Sequence, residues 1–436
     1  MLMEFTTKNY KSFKNKMVFT MVPAPKQKGL DYSILNKKIG SKVYKGLCSA
    51  VIYGPNASGK TNIIGAMEVL KGIVLRGHIR NRNAQKTPNA AVDFLELIPN
   101  CASNVKESVD FSIKFIEDGI LFEYELSIDI GNFLEAECDR KILMEALSVN
   151  ERLIFKRSSS LEFGDMKAIK KYLVNEFEDN EEGAKTLAKG NLNDEELFLT
   201  NSFKAMFSAR LVNIISNWFK NKFIVIYRAD ALHLVRKISK PKKHTIYREE
   251  VIDRAVKAFG VNTSELGYFI SQDDSKALLC SILDDKPIPA ELFESHGTIR
   301  FANMFPLILD AIAIGGTLVV DEFDASLHPM ALMSIVNIFH NDDINTKNAQ
   351  LIFNTHNPIF LNPNLFRRDE IKFVECDDPT QGSIHYSLSD FGTSGEKGVR
   401  REDDYMKYYF VSQYGAIKEV DFTPIFEELL NEGKEI

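Results

Sequence analysis

The sequence predicts an α/β fold with a mixed central sheet, an antiparallel β sub-sheet beside it and a helical insertion between its two halves. Three observations predict it. Leu47 to Tyr53 is apolar without alternation, as a central parallel strand buried on both faces should be. Ser108 to Phe115 and Leu121 to Ile130 alternate apolar and polar residues around Glu117-Asp118-Gly119, the pattern of an antiparallel hairpin. Ser160 to Trp218 changes to apolar positions spaced by three and four, a helical period.

In chain order, Met3 to Phe13 reads as a strand and turn, Met17 to Met21 as a second strand and Leu47 to Tyr53 as the first buried one. A glycine-rich turn leads into a helix from Asn62 to about Leu75, and the hairpin follows. The helical region carries Met166 to Phe177 and Asp194 to Phe219, either as a small bundle or stubby arm or as a cover for the sheet. Then come a strand at Phe223 to Tyr227, a basic loop, a helix near Arg248 to Phe259 and a strand pair near Tyr268 to Ile282. Strands at Thr317 to Val320, Gln350 to Asn354 and Ile371 to Val374 restore the alternation of helix and buried strand. The expected organisation is an N-terminal lobe over 1–150, a mainly helical insertion with the basic loop over 151–270, and a C-terminal lobe over 271–436.

Composition narrows the function classes. The chain has 436 residues, 44% of them hydrophobic and 26% charged, enough for one large elaborated domain or two. Apolar runs such as Phe305 to Ile314 fall short of the roughly 20 residues that cross a bilayer, and the N-terminus has charges where a signal peptide is apolar. A cytoplasmic protein without membrane contact is expected. Its five cysteines are scattered, with no spacing that suggests zinc or disulfides. The net charge of −6 leaves room for one basic stripe, Arg236 to Arg248, which reads either as a solvated loop or as a contact to nucleic acid.

The motif that carries chemistry is Gly54-Pro55-Asn56-Ala57-Ser58-Gly59-Lys60-Thr61, a GxxxxGK[ST] between a buried strand and a helix. Its glycines admit a phosphate against the backbone, Lys60 reaches the β- and γ-phosphates, and the Thr61 hydroxyl holds Mg²⁺. Thr317 to Val320 ends in Asp321 and Glu322. Asp321 is the expected Mg²⁺ partner and Glu322 the base that polarises an attacking water.

Phe323-Asp324-Ala325-Ser326-Leu327-His328-Pro329 after that pair, with the later Leu351 to Asn354 and Thr355-His356-Asn357-Pro358, resembles the ATPase domains of the ABC superfamily. The likeness is to its SMC, RecF and OLD (overcoming-lysogenisation-defect) branch. The resemblance implies an ABC-type P-loop fold, ATP rather than GTP, a γ-phosphate switch at His356 and a D-loop at Asp324. His328 belongs to the Leu-His-Pro that carries the resemblance, or is simply a helix-capping or core histidine. Glu294-Ser295-His296-Gly297-Thr298, before a helix and ahead of Asp321, looks like the family's signature, with Ser295, Gly297 and Thr298 acting on the nucleotide of a second subunit. It departs from the transporter-type LSGGQ. Asn9-Tyr10-Lys11-Ser12-Phe13 resembles the segment that opens such ATPases on the adenine side, and Arg400 to Ala416 resembles the tail of stand-alone members. Gln85 is a candidate for the Q-loop.

Lys60 and Glu322 are 262 residues apart, too far for a minimal transporter cassette and too close for long SMC arms. Only 80 residues follow His356, too few for the Toprim nuclease of OLD proteins proper, and Glu375, Asp377 and Asp378 read as a turn rather than a metal site. The resemblance therefore implies a stand-alone AAA-family ATPase of a bacterial anti-phage, abortive-infection system. It would be an ATP-dependent homo-oligomer, at least a dimer, controlling a separate effector that could be a nuclease. Two other classes stay open: a RecF/SMC-like DNA-repair or DNA-binding ATPase, and a scaffold that binds ATP structurally.

Overall fold

The computed structural model describes residues 1–25, 27, 29–80, 96–103, 106–135, 138–174, 180–227, 245–260, 265–270, 277–376, 382–394 and 398–431. The chain opens with β1 (Leu2–Lys8), β2 (Met17–Thr20), the hairpin β3 (Ile34–Ile39) and β4 (Lys42–Leu47), then β5 (Ser49–Tyr53) and α1 (Lys60–Arg76). The expected single strand from Leu47 is broken at Cys48, whose amide donates to Ser33 O, so the hairpin and the buried strand are separate elements. Helix α1 stops at Gly77, which takes the left-handed conformation (φ 75°) that glycine adopts without strain.

An antiparallel run follows, β6 (Val109–Glu117), β7 (Ile120–Asp129), β8 (Lys141–Val149), β9 (Arg152–Arg157) and β10 (Leu161–Phe163). With β1 and β2 it forms a seven-stranded sheet in the order β10-β9-β8-β7-β6-β1-β2. The predicted hairpin is β6–β7; Asp118 and Gly119 at its tip both have positive φ, the two-residue turn that matches strand twist.

The segment expected to be helical is folded onto this sheet. Met166–Tyr172 is a 3₁₀ stretch rather than a regular helix, followed by α2 (Glu181–Gly190), a wide-turned stretch Leu199–Phe203, α3 (Lys204–Met206), α4 (Ala209–Asn217) and a second wide-turned stretch Trp218–Lys222. Phe198, Leu199, Phe203, Phe207, Leu211, Ile215, Trp218 and Phe219 are all buried in the core that the sheet builds with α1. Trp218 stacks on Phe115 at 3.9 Å between ring centroids. Of the two readings left open, covering the sheet is the one observed. The buried carboxylate of Glu145 on β8 accepts from the amides of Phe198 (2.7 Å) and Leu199 (2.9 Å) and from Tyr124 OH (3.0 Å), which satisfies donors where the helical segment begins.

The chain continues through β11 (Phe223–Ile226), β12 (Ile246–Arg248), α5 (Glu250–Phe259), β13 (Glu265–Ile270), β14 (Ala277–Leu283), β15 (Lys286–Pro289), α6 (Ala290–Phe293) and α7 (His296–Ile314). It ends with β16 (Thr317–Val320), α8 (Pro329–Phe339), β17 (Gln350–Asn354), β18 (Ile371–Glu375), β19 (Ile384–Ser387), α9 (Tyr405–Phe410) and α10 (Thr423–Asn431). Strands β12 to β15 make a small antiparallel sheet. The central sheet has the order β11-β16-β17-β5-β18-β19, parallel except for β19. The fold is thus mixed α/β, with a mixed central sheet and an antiparallel sub-sheet.

Successive residues of a strand point to opposite faces, and the central strands serve two cores. Ala50, Ile52, Val319, Ile352 and Val374 face the seven-stranded sheet and α1. Val51, Tyr53, Leu318, Val320, Leu351, Phe353, Ile371 and Phe373 face α7 and α8. Helix α7 is 19 residues long and apolar enough, by length and composition alone, to cross a membrane. Counting only uninterrupted apolar runs overlooks such a helix, because charged residues such as Asp310 divide it. Here α7 packs into the second core through Phe301, Ala302, Met304, Ile308 and Ala311.

Candidate nucleotide site

Strand β5, buried along its whole length, delivers the Gly54–Thr61 loop to the end of the central sheet, where α1 begins. Its tight turn rests on Ala57 (φ 63°) and Gly59 (φ 108°). At Gly59 an added Cβ would lie 2.5 Å from Ser12 Oγ and 2.7 Å from Ser383 Oγ; at Gly54 it would lie 2.2 Å from the Val374 carbonyl. Both positions exclude any side chain. Ser383 Oγ donates to Ser58 O (2.6 Å) and Asn62 Nδ2 to Ser12 Oγ (2.8 Å), bracing the loop from the residue that precedes β19 and from the N-terminal segment. The Ser58 hydroxyl is buried without a hydrogen-bond partner among the described residues. A phosphate oxygen in the loop would supply what such an orphaned donor lacks.

Lys60 is buried, and its ammonium donates to Gly54 O (2.7 Å) and Pro55 O (2.9 Å). Burial lowers its pKa to about 8 against the opposing pull of Asp321, Glu322 and Asp324. Thr61 Oγ1 donates to Asp321 Oδ1 at 3.0 Å, so a hydroxyl and a carboxylate meet at the foot of the loop, a donor set of hard oxygens that fits Mg²⁺. If the cation binds, Thr61 and Asp321 hold it, and it supplies charge neutralisation to the phosphates.

Parallel pairing of β16 with β17 sets Val320 beside Phe353 and so brings Asn354 to Asp321. Asn354 Nδ2 donates to Asp321 Oδ1 (2.6 Å), while its Oδ1 accepts from the amide of Glu322. One side chain therefore fixes the carboxylate of the first acid and the backbone of the second. Glu322 has φ 49°, a conformation rare outside glycine, and its carbonyl accepts from Arg300 of α7. Its side chain is exposed.

Asp324 Oδ2 accepts from Thr355 Oγ1 (2.6 Å), tying the segment after Glu322 to the turn that carries His356. His356 is surface-exposed, yet the chain around it and the Lys60 ammonium push its pKa below the usual value, with Asp324, Glu322 and Asp321 opposing. His328 caps α8, its Nδ1 accepting from Met330 N (3.2 Å), the helix-cap form of its structural reading.

Ser295 caps α7, its Oγ accepting from Thr298 N (3.1 Å) and lying 2.9 Å from Thr298 Oγ1. A Cβ at Gly297 would stand 2.4 Å from the Ser326 carbonyl. The Ser295–Thr298 turn is thus built against the segment that carries Asp324 and Ser326, and among the described residues no hydrogen bond joins it to Gly54–Thr61. Gln85, the basic residues Arg236, Lys237, Lys240, Lys242 and Lys243, and Asp377 and Asp378 lie outside the described residues. Arg248 of the same stripe is paired with Glu265 and Asp285.

Sequence reasoning assigned no role to Asn354, Arg300, Ser12 or Ser383. Asn354 had a readable signal, since it ends the strand beside the one that Asp321 ends. Ser12 lies in the Asn9–Phe13 segment likened to the opening of such ATPases, whereas Ser383 had no signal, because it reaches the loop through tertiary packing.

No curated protein matches the chain. Among solved structures it is similar to the SMC head domain from Thermotoga maritima (TM-score 0.36, 13% identity, covering 88% of this chain and 98% of that one). It is also similar to an Smc head bound to the C-terminal winged-helix domain of ScpA (0.39, 13%, 89% and 99%) and to an Smc head with an extended coiled coil bound to a ScpA domain derived from Pyrococcus furiosus (0.38, 13%, 89% and 97%). These are distant likenesses. The assignment rests instead on the sequence model described as "AAA domain, putative AbiEii toxin, Type IV TA system", which matches residues 49–362, well over half of the chain and both halves of the site. The chain belongs to this AAA-domain family and is a P-loop ATPase of that kind.

Proposed function

We propose that the protein is an ATP-binding and ATP-hydrolysing switch that dimerises on ATP and controls a separately encoded effector in the cytoplasm. Lys60 exchanges its two carbonyl contacts for the β- and γ-phosphates. Glu322 accepts a proton from the attacking water, and His356 donates its N–H toward the γ-phosphate. The contact between Gly297 and Ser326 carries the reading. It aims the Ser295–Thr298 turn and the N-terminus of α7 along the D-loop instead of into the chain's own phosphate loop, so the anion this turn suits belongs to a second subunit.

The family description, with its toxin and toxin–antitoxin terms, favours a role in abortive infection, where ATP state would license an effector such as a nuclease. The DNA-binding alternative gains no support: the one described member of the basic stripe, Arg248, is neutralised by two acids.

Light scattering on Glu322→Gln with and without ATP and Mg²⁺ tests the proposal. The expected result is a mass that doubles with nucleotide and does not double when Ser295→Arg is added. A mass indifferent to ATP would remove the dimerisation switch and leave a nucleotide-binding scaffold.

A further inference from the structure

The cysteines have no zinc spacing along the chain, yet the fold brings one of them into a buried cluster of metal-binding groups. Cys48 precedes β5, His340 ends α8 and Glu370 precedes β18. Cys48 Sγ, His340 Nε2 and a carboxylate oxygen of Glu370 all lie within 4.8 Å of one another. Glu370 Oε1 is 4.0 Å from the sulfur and 3.2 Å from the imidazole nitrogen. The Ser49 hydroxyl stands among them, donating to Glu370 Oε1 at 2.6 Å and lying 2.9 Å from His340 Nε2. All four residues are closed to solvent, Cys48, Ser49 and Glu370 at 0% exposure and His340 at 4%.

Buried charges are paired or coordinate metals. Among the described residues Glu370 pairs with no lysine or arginine, and the neighbouring Arg367 guanidinium is taken by Asp369 (2.9 Å). Zinc meets this need and suits the donors. Its thiolate, imidazole and carboxylate ligands at ~2.0–2.3 Å set sulfur and oxygen about 3.5 Å apart in a tetrahedron, and nitrogen and oxygen about 3.3 Å. A turn of the Cys48 side chain that brings its sulfur about half an ångström toward the carboxylate reaches that geometry. One thiolate, one carboxylate and one Zn²⁺ also sum to no net charge, which a closed site favours. Outer contacts hold the ligands: Glu370 Oε2 accepts from Arg367 N (2.8 Å). His340 Nδ1 is buried without a partner, and the rings of Tyr32 (5.6 Å) and Phe366 (6.0 Å) orient the imidazole in place of a second hydrogen bond. We propose that Cys48, His340 and Glu370, with the Ser49 hydroxyl as fourth donor, form a structural zinc site. Binding displaces the thiol proton to solvent and ties the end of α8 to the starts of the paired parallel strands β5 and β18. Strand β5 begins here and delivers the Gly54–Thr61 loop from its other end, so this ion is distinct from the Mg²⁺ of the nucleotide site. The proposal stands apart from the ATPase reading.

Metal analysis of the untagged, nucleotide-free chain produced in zinc-supplemented medium tests the site. The expected content is one zinc per chain, lowered at least tenfold by Cys48→Ala. A second protein carries Cys101→Ala, Cys138→Ala, Cys280→Ala and Cys376→Ala, which leaves Cys48 as its only thiol and the proposed ligands untouched. Loaded with Co²⁺ in place of zinc, it should show a thiolate-to-cobalt charge-transfer band together with the d–d spectrum of tetrahedral cobalt. That spectrum reads the site directly, even where Cys48→Ala fails to fold. A wild-type chain that takes up no zinc would leave Cys48, His340 and Glu370 as a hydrogen-bonded cluster and overturn the proposal. Zinc bound by the wild type, with no thiolate band from the folded four-alanine protein, would place the ion on another cysteine and overturn it equally. So would a zinc content unchanged by Cys48→Ala.

Discussion

Lys60 is held in a state that anticipates a ligand. Its pKa of about 8 lies below the 10.5 of a free lysine, so between those values the unfolded chain binds more protons than the folded one. The penalty of burying the charged ammonium is fully present below pH 8 and is relieved as pH rises toward 10.5. Triphosphate in the loop reverses the balance by favouring the charged form. At pH 8.5 nucleotide binding should take up a fraction of a proton, and at pH 7 almost none. Calorimetry in two buffers of different ionisation enthalpy measures this directly, and uptake that is equal at the two pH values would contradict the assignment. Asn354 is the second decisive residue, because it serves Asp321 and Glu322 together. Asn354→Ala should lower ATP turnover by about 10- to 100-fold, in line with the ~1.5–3 kcal/mol of a hydrogen bond to a charged group. Nucleotide binding, measured separately by fluorescence, should fall much less.

At the scale of elements, the joints matter more than the elements they connect. Glu145 anchors the start of the helical segment to β8, and Glu145→Ala would leave two buried amides without an acceptor. The expected consequence is a loss of about 2–4 kcal/mol of local stability, read as faster hydrogen exchange at Phe198 and Leu199. Gly297→Ala forces a Cβ into the Ser326 carbonyl and displaces the D-loop. ATP-driven dimerisation should weaken by at least tenfold while ATP binding to the monomer is kept, which binding and light-scattering isotherms on the Glu322→Gln background separate.

This is also the scale at which the sequence was most and least readable. Strands such as Val109–Glu117 and Thr317–Val320 are legible because burial on one face or two leaves a period in the residues themselves. Strands β8 to β10 were missed. Their residues, KILMEALSV and RLIFKR, mix charges into apolar positions because Glu145 and Arg157 point inward to bind backbone groups of the helical segment. Among the site residues, Gly54 to Thr61, Asp321 and Glu322 stand in contiguous motifs that announce their chemistry. The braces Ser12, Arg300 and Ser383 come from distant segments that only the fold brings together.

At the scale of the molecule, the central sheet joins two cores that meet different tasks. One side, with the seven-stranded sheet and α1, carries the Gly54–Thr61 loop; the other, with α7 and α8, carries the Ser295 turn and the Asp324 segment. Gln350 links the sheet to the chain's beginning: its amide exchanges hydrogen bonds with Leu2 N and Leu2 O and reaches Leu47 O and Thr317 Oγ1. The close seating of Gly297 on Ser326 has a consequence for a paired form of the protein. The surface that would grip a neighbour's nucleotide and the strand end that would process the chain's own are parts of one stiff body, so neither can shift without the other. Two ATP molecules in such a pair could not be spent independently: occupancy of one pocket would set the affinity of the other, and the reverse by the same factor. ATP saturation of the dimer should therefore be sigmoidal, with a Hill coefficient approaching 2, and should become hyperbolic once Gly297→Ala separates the two surfaces.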